Sequence, residues 1–209
     1  WQLEKSYALN NLGSLAEKNN QLSVASDYFE QSALIKLTLL ETQPNNAAVR
    51  ADLADTRSWQ SNIQAKSGKL SAAINHLHEA LAQVEKIYSS DSSFKYIERL
   101  ANLEHKIALS YYDYGDLKNA RIYSQKAENN ITTLINNDSE NHLLKEDLLW
   151  SQILSIQLLI GEDKLDNTLI YLDKARDLIN QFKNSATITK EIIRANVDLL
   201  HYQALTMSL

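Results

Sequence analysis

The sequence has no cysteine, one proline and four glycines. Without cysteine there are no disulfides, no thiol nucleophile and no cysteine metal ligands. Proline and glycine are the main interrupters of helices, so their scarcity predicts an all-helical chain. A basic excess is also missing, because the net charge is −5. Nucleic-acid binding requires clustered Lys and Arg, and we therefore do not expect it.

Long apolar runs are absent as well. The longest apolar-rich stretch, 148–160, is interrupted by Ser and Gln and is too short to cross a bilayer. We expect a soluble segment with no direct membrane insertion, for which the cytoplasm is preferred over the periplasm. The chain begins at Trp1, shows no signal peptide and stops at Leu209 inside a predicted helix, so we expect a fragment of a larger protein.

A repeat of 47 to 48 residues is the main positive signal, marked by Leu22, Leu70, Leu117 and Leu165. Small residues follow these markers at two fixed distances, namely Ala25, Ala73, Ala120 and Thr168 at +3, and Ser32, Ala80, Ala127 and Ala175 at +10. A period of this length is typical of a solenoid, whose units bury their apolar faces by stacking on neighbours.

One buried stripe of a helix also requires apolar residues at +7, +14 and +17 after each marker, and the third and fourth units have one small polar exception each on the stripe, Ser124 and Thr168. The second unit follows the pattern fully, with Leu70, Ala73, Leu77, Ala80, Val84 and Ile87. The first unit is weaker, because Ser32 and Lys36 fall on the stripe. We name these segments the B helices, and the segments that precede each marker the A helices.

Polar turns divide the chain into repeat units at about 1–43, 46–90, 92–137 and 139–184, with a partial unit at 187–209, all in one domain. Gly or Asn in the A-to-B turns suits a left-handed helix end, and Asn, Asp or Ser in the B-to-A connections suits a helix cap. The predicted A helices are 1–19, 46–67, 92–114, 139–161 and 187–209. The predicted B helices are 21–43, 69–90, 116–137 and 163–184.

Leu12-Gly13, Ala25-x-x-x-Phe29 and the Gly or Asn turn resemble the tetratricopeptide repeat (TPR). The resemblance implies an all-α, α-α superhelix of about four antiparallel helix pairs plus one further helix. The usual TPR period is 34, and the excess of about 14 residues is nearly four helical turns, so two added turns per helix keep the buried faces in phase. The string from Trp1 to Gly13, with Pro44-Asn45-Asn46, resembles a long-helix subgroup of multidomain bacterial signalling proteins. That resemblance implies a parent with a kinase, regulator or NTPase domain.

The sequence contains no recognisable catalytic pattern. Its five histidines are scattered, and His76 and His78 point in different directions on one helix. A His-Glu-x-x-His motif, a Gly-rich phosphate loop and a Gly-x-Ser-x-Gly elbow are all missing. We expect no catalytic, metal or cofactor-binding residues. An enzyme is a third alternative, which a deep pocket with converging titratable groups would favour.

The TPR resemblance places the A helices on a concave groove that binds a protein or peptide. The expected groove is polar and amide-rich at its N-terminal end and aromatic at its C-terminal end. Its candidate residues are Tyr7, Asn10, Ser14, Asp55, Trp59, Asn62, Asn102, His105, Leu109, Tyr112, Trp150, Ile153 and Gln157. The family's basic clamp for a C-terminal carboxylate is incomplete, since Lys18, Lys66 and Lys106 do not form the full pattern.

Two alternatives stay open at this point. Trp150 and Ile153 could pack against the helix at 187–209 instead of lining a groove, because helices that are apolar on all sides are usually buried. The leading function is a non-catalytic protein–protein interaction scaffold within a bacterial signalling protein. The alternative is a structural spacer, or an oligomerisation module that self-associates through the open ends of the array.

Overall fold

The computed structural model describes residues 1–184 and 189–207, and within these ranges every regular element is a helix. The helices are α1 (Gln2–Lys18), α2 (Leu22–Thr42), α3 (Ala47–Lys66), α4 (Leu70–Tyr88), α5 (Phe94–Tyr114), α6 (Leu117–Asn137), α7 (His142–Gly161), α8 (Leu165–Asn184) and α9 (Lys190–Met207). The all-α prediction is confirmed. Each observed end lies within three residues of its predicted position. The predicted connection at 185 and the predicted helix ends at 187–188 and 208–209 lie outside the described residues.

The A-to-B turns contain a left-handed residue, as the Gly and Asn signals predict. The backbone φ is +75° at Gly68, +89° at Gly115 and +59° at Asn20. In the fourth turn Gly161 remains helical, and Asp163 takes the left-handed conformation with φ +56°. A short polar side chain that can bond locally tolerates this region, so the turn needs no glycine.

Side-chain caps begin several helices. Asn46 Oδ1 accepts the Val49 backbone N–H at 3.1 Å, and Asn141 Oδ1 accepts those of Leu143 and Leu144 at 3.1 and 3.3 Å. These caps satisfy N–H groups that have no partner within the helix, which is why Asn recurs at the B-to-A connections.

The chain forms two compact units, unit 1 at 1–114 and unit 2 at 115–209. In unit 1 the most extensively packed helix pairs are α1–α2, α2–α3, α3–α4 and α4–α5. In unit 2 they are α6–α7, α7–α8, α8–α9 and α7–α9. The B helices α2, α4 and α8 each contact the A helices on both sides, as predicted. The boundaries of the repeat units and their membership of one domain stay predictions.

The small stripe residues are buried, which confirms the predicted register. Ala25, Ala73, Ala80, Ala120, Ala127 and Ala175 have no exposed surface, and the polar exceptions Ser32 and Thr168 have none either. Side chains this small allow neighbouring helix backbones to approach closely.

Gly13 shows how tight one of these approaches is. A Cβ atom at this position would lie 2.7 Å from Cε1 of Phe29, a ring with no exposed surface. The Leu12-Gly13 signal of the sequence therefore marks the place where α1 meets the α2 phenylalanine.

In unit 2, apolar residues of α7, α8 and α9 form one cluster, which we name the C-terminal core. Its members are Leu149, Ile153, Ile156, Leu172, Ala175, Leu178, Ile179, Phe182, Ile192, Ala195 and Leu199.

Candidate functional site

In unit 1 the A helices α1 and α3 are joined by polar side chains. The Tyr7 hydroxyl donates to Asp52 Oδ2 at 2.6 Å, and Lys66 Nζ pairs with Glu17 Oε1 at 2.8 Å. The hydrogen bond to Asp52 is the main reason why the pKa of Tyr7 is raised to about 12, so the phenol stays protonated at neutral pH. We name the surface made by α1, α3 and α5 the A-helix face.

The next pair of A helices, α3 and α5, is joined in the same way. Arg99 Nη1 pairs with Asp55 Oδ1 at 2.8 Å, and Lys106 Nζ donates to Ser58 Oγ at 3.0 Å. Each contact joins residues 44 to 48 positions apart, which is close to one repeat period. The repeat therefore brings side chains from successive A helices together on one face.

A cleft of about 410 Å³ lies between α3 and α5. Its walls combine charged, amide, hydroxyl and apolar side chains, from Ala54, Asp55, Ser58, Lys95, Glu98, Arg99, Asn102, Leu103 and Lys106. Among these, the sequence predicts Asp55 and Asn102 as groove residues. The volume lies within the usual range of ligand pockets.

The cleft carries more positive than negative charge, with three cations against two carboxylates. Arg99 already pairs with Asp55, whereas Lys106 has no carboxylate of the described residues at ion-pairing distance. Burial lowers the pKa of Lys106, and the nearby charge of Asp55 opposes this shift. Because Asp55 is engaged by Arg99 and Lys106 donates to a neutral hydroxyl, the exposed Lys106 ammonium can bind an anionic ligand group.

Beside the Tyr7 end of this face lies a buried lysine. Lys36 of α2 has no exposed surface, and its Nζ donates to Ser32 Oγ at 2.7 Å and to Thr56 Oγ1 at 2.8 Å. Asn10 joins the network by donating to Thr56 Oγ1 at 3.3 Å, and the Tyr7 ring centroid is 6.0 Å from the ammonium. Burial lowers the pKa of Lys36 to about 8. The weak first-unit stripe therefore reflects a buried polar network.

The predicted groove residues of unit 1 differ in accessibility. Tyr7, Asn62, Asn102 and Leu109 are exposed, and Ser14, Asp55, Trp59, His105 and Tyr112 are half-buried. Asn10 is only 7% exposed and its amide is bonded within the network, so it does not serve the predicted role of holding a peptide backbone. Trp59 packs on Phe29 with ring centroids 5.7 Å apart. Burial lowers the pKa of His105 to about 4, so this imidazole is neutral at physiological pH.

The predicted groove residues of unit 2 are engaged with α9. Ile153 is 3% exposed within the C-terminal core, and Trp150 packs against that core with the Arg194 guanidinium 5.8 Å from its ring centroid. Gln157 Nε2 donates to Tyr202 Oη at 2.5 Å. These positions agree with the packing alternative for Trp150 and Ile153.

Lys95, Glu98 and Arg99 line the cleft, but sequence reasoning did not select them. The spacing of Arg99 was a usable signal, because Arg99 follows Asp55 by 44 residues, close to one repeat period, on the next A helix. The repeat therefore pairs opposite charges across neighbouring units.

Among the described residues, no group of three or more acidic or histidine side chains is arranged to hold a metal ion. In those same parts of the chain, no helix is long and apolar enough to span a membrane.

Solved structures similar to this chain are helical-repeat proteins. BtubC (BKLC) from P. vanneervenii aligns over 85% of this chain with a TM-score of 0.68 and 15% identity, and the chain spans 64% of that protein. A point variant of a provisionally assigned kinesin light chain from Podosopora anserina, with nearly identical TPR-like repeats, aligns over 100% of this chain and 99% of its own. Its TM-score is 0.65 and its identity is 13%.

No protein-family model matches the sequence, and no curated protein matches it as a relative. At these identities the structural likeness defines the fold alone. The chain has a TPR-like helical-repeat fold.

Proposed function

We propose that the A-helix face of unit 1 binds an extended segment of another protein, and that the cleft between α3 and α5 takes an acidic side chain of that segment. The protein acts as a non-catalytic interaction scaffold. Asn102 lines the cleft and is exposed, Asn62 and Leu109 are exposed positions of α3 and α5, and Tyr112 of α5 is half-buried. Accessible amides suit the backbone of an extended ligand, and aromatic or aliphatic side chains suit its anchors.

The observation that carries this proposal is the position of Lys106. Its side chain is exposed at a cleft of about 410 Å³, and its ammonium donates to the neutral Ser58 hydroxyl. An incoming carboxylate can therefore form a charge-assisted hydrogen bond with this ammonium. Specificity then comes from the need to bring a negative charge to this point on the face.

The experiment compares peptide selection by the wild type and by Lys106→Met. A library of random dodecapeptides is panned against both proteins, and enriched sequences are synthesised for affinity measurement. We expect the wild type to enrich Asp or Glu at one fixed peptide position. Lys106→Met should lose this preference and bind the selected peptides about tenfold or more weakly, since a charge-assisted hydrogen bond contributes about 1.5–3 kcal/mol.

Lys86→Met is the matched control, because Lys86 is an exposed lysine of the B helix α4. It should leave peptide binding unchanged, while Asn62→Ala and Tyr112→Ala should weaken it. Loss of binding in Lys86→Met with no change in Lys106→Met would move the site to the outer B-helix surface and contradict the proposal.

A place in a larger bacterial signalling protein, with kinase, regulator or NTPase domains elsewhere, is a further part of the proposal and rests on the sequence resemblance. The competing function is a spacer or self-associating module.

Sedimentation across protein concentrations distinguishes self-association from peptide capture by a monomer, because only self-association raises the mass with concentration.

A further inference from the structure

A pocket of about 170 Å³ lies within unit 2, between helices α6, α7 and α8. Each helix contributes residues three or four positions apart, and such residues share one face of a helix. The lining residues are Arg121 and Gln125 of α6, Ser155, Leu158 and Leu159 of α7, and Asn167, Ile170 and Tyr171 of α8. We name this space the unit 2 pocket.

The repeat indicates why space is left at this place. His78 and Gln125 each stand eight residues after a marker leucine, and Tyr111 and Leu159 each stand six residues before one. In unit 1, His78 Nε2 and Tyr111 Oη are 3.0 Å apart, so two rings bridge α4 and α5. Unit 2 has an amide and an aliphatic side chain at these positions, and both of them line the pocket. The pocket therefore opens where the preceding repeat holds an aromatic pair.

The apolar wall of the pocket suits a ring. Leu158 and Leu159 of α7 are buried, and Ile170 of α8 adds a third aliphatic side chain. A cavity of roughly 150 Å³ lined by aliphatic and aromatic side chains is large enough for benzene. The unit 2 pocket thus has the size and the apolar surface for one six-membered ring.

The two hydroxyl groups that line the pocket are held by protein partners. The Tyr171 hydroxyl donates to Glu128 Oε2 at 3.0 Å, and Ser155 Oγ lies 3.1 Å from Ser124 Oγ. Burial and the nearby charge of Glu128 raise the pKa of Tyr171 to about 12, so the phenol is neutral at physiological pH. Recognition of a ligand is therefore left to the guanidinium and the amides.

Arg121 supplies the charge of the unit 2 pocket. Of the described residues that line it, Arg121 alone is ionised at neutral pH. Its Nη2 pairs with Glu162, and that same carboxylate accepts Lys164 Nζ at 2.8 Å. Two cations thus share one carboxylate, which leaves a positive excess beside the pocket. A guanidinium has five N–H donors in a planar fork, so Arg121 can hold Glu162 and a second carboxylate together.

We propose that the unit 2 pocket binds a small aromatic carboxylate, with its ring on Leu158, Leu159 and Ile170 and its carboxylate on Arg121. The volume sets the limit of one ring, and the positive excess selects the negative charge. The amide groups of Gln125 and Asn167 can donate to the second carboxylate oxygen. This site is independent of the α3–α5 cleft, which belongs to unit 1.

The test compares benzoate with benzamide, a neutral molecule of the same shape. Binding of each to the full chain is followed by protein NMR chemical shifts during titration. A ligand of about nine heavy atoms in a matched pocket should have a dissociation constant of about 0.1–1 mM. Benzamide should bind at least about tenfold more weakly, because it cannot form a charge-assisted hydrogen bond with the guanidinium.

Arg121→Gln should weaken benzoate binding at least about tenfold and change benzamide binding by no more than about threefold. Lys164 remains to pair with Glu162 in this variant, so the fold should be kept. Arg176→Gln is the matched control in the same unit. Both arginines pair with a carboxylate, and their side chains are 39% and 43% exposed. The control should bind benzoate as the wild type does.

A second variant tests the volume. Gln125→His combined with Leu159→Tyr gives unit 2 the ring pair of the preceding repeat, so it should fill the pocket and abolish binding of both probes. Thermal unfolding followed by circular dichroism checks that this variant is folded.

Several outcomes would overturn the proposal. Benzoate could fail to bind the wild type, bind no better than benzamide, or bind Arg121→Gln as tightly as the wild type. Loss of benzoate binding in Lys106→Met with none in Arg121→Gln would place the probe in the α3–α5 cleft. A short peptide ending in Phe that binds at least about tenfold more tightly than benzoate would make a protein terminus the ligand.

Discussion

Helices at the two ends of the chain enclose different chemistry on equivalent faces. Between α1, α2 and α3 lies the Lys36 ammonium with its hydroxyl partners, whereas α7, α8 and α9 enclose the wholly apolar C-terminal core. The position of Lys36, 14 residues after the marker leucine, is taken by Val84, Ile131 and Ile179 in the later units. All four side chains are at most 3% exposed.

The comparison shows that the repeat specifies which face is buried, while local partners decide what that face can contain. A lysine is compatible with the buried stripe because Ser32 lies one turn before it and Thr56 faces it from α3. Buried charges are retained where hydrogen bonds satisfy them, and they are costly where a partner is lost.

The largest expected effect tests the apolar end. Phe182 is 2% exposed in the C-terminal core, and Phe182→Ala should lower the free energy of unfolding by about 3–5 kcal/mol through lost burial and a cavity. Urea denaturation measures this loss. The matched control is Phe94→Ala, because Phe94 is 47% exposed and its replacement should change stability by no more than about 0.5 kcal/mol. Equal losses in the two variants would contradict the assigned core.

The second prediction compares how closely the two units pack around their stripe alanines. Ala80 in unit 1 and Ala127 in unit 2 have no exposed surface, so Ala80→Leu and Ala127→Leu should each destabilise by about 1–3 kcal/mol through overpacking. Denaturant melts of both variants provide the measurement. A change within about 0.5 kcal/mol in either variant would show that this unit tolerates a larger residue and that the repeat is not equally packed.

The third prediction concerns the close approach in unit 1. A Cβ at residue 13 would lie 2.7 Å from the Phe29 ring, so Gly13→Ala must displace a buried aromatic side chain. Overpacking of about 1–3 kcal/mol is offset by about 1 kcal/mol of helix propensity, which leaves a net loss of about 1 kcal/mol. Thermal and urea unfolding measure it. A stabilised Gly13→Ala would mean that the ring moves without cost.

The last expected effect is a pH dependence specific to the polar end. Burial lowers the pKa of Lys36 from 10.5 to about 8, so between these values the unfolded chain binds a proton that the folded protein has released. Stability should therefore rise with pH in this window, by up to about 1.4 kcal/mol per pH unit. Urea melts from pH 8 upward should show this rise in the wild type and in Lys86→Met, and Lys36→Met should lack it. A parallel rise in Lys36→Met would assign it to other groups.

The helices were predictable because the marker leucines and small residues repeat along one face, and the turn residues fix where each helix ends. The polar contacts between successive A helices on the A-helix face were harder to predict. Periodicity indicates that Asp55 and Arg99 share a face, but the contact between them depends on the spacing of α3 and α5.

Lys36 illustrates the same limit inside the core. On sequence alone it weakens the first stripe, since a lysine is rarely buried without partners. Its partner Thr56 comes from another helix 20 residues away, and no local pattern connects the two. Trp150 and Ile153 left two interpretations open in the sequence because their burial depends on α9.

The inaccessibility of Lys36 makes it a reporter of local opening. An amine with no exposed surface cannot react with an acylating reagent until α1, α2 and α3 separate, and once released it regains the ordinary lysine pKa of 10.5. Mass spectrometry of residue 36 after timed acylation would therefore measure the rate of local opening around α1, α2 and α3, without any engineered label.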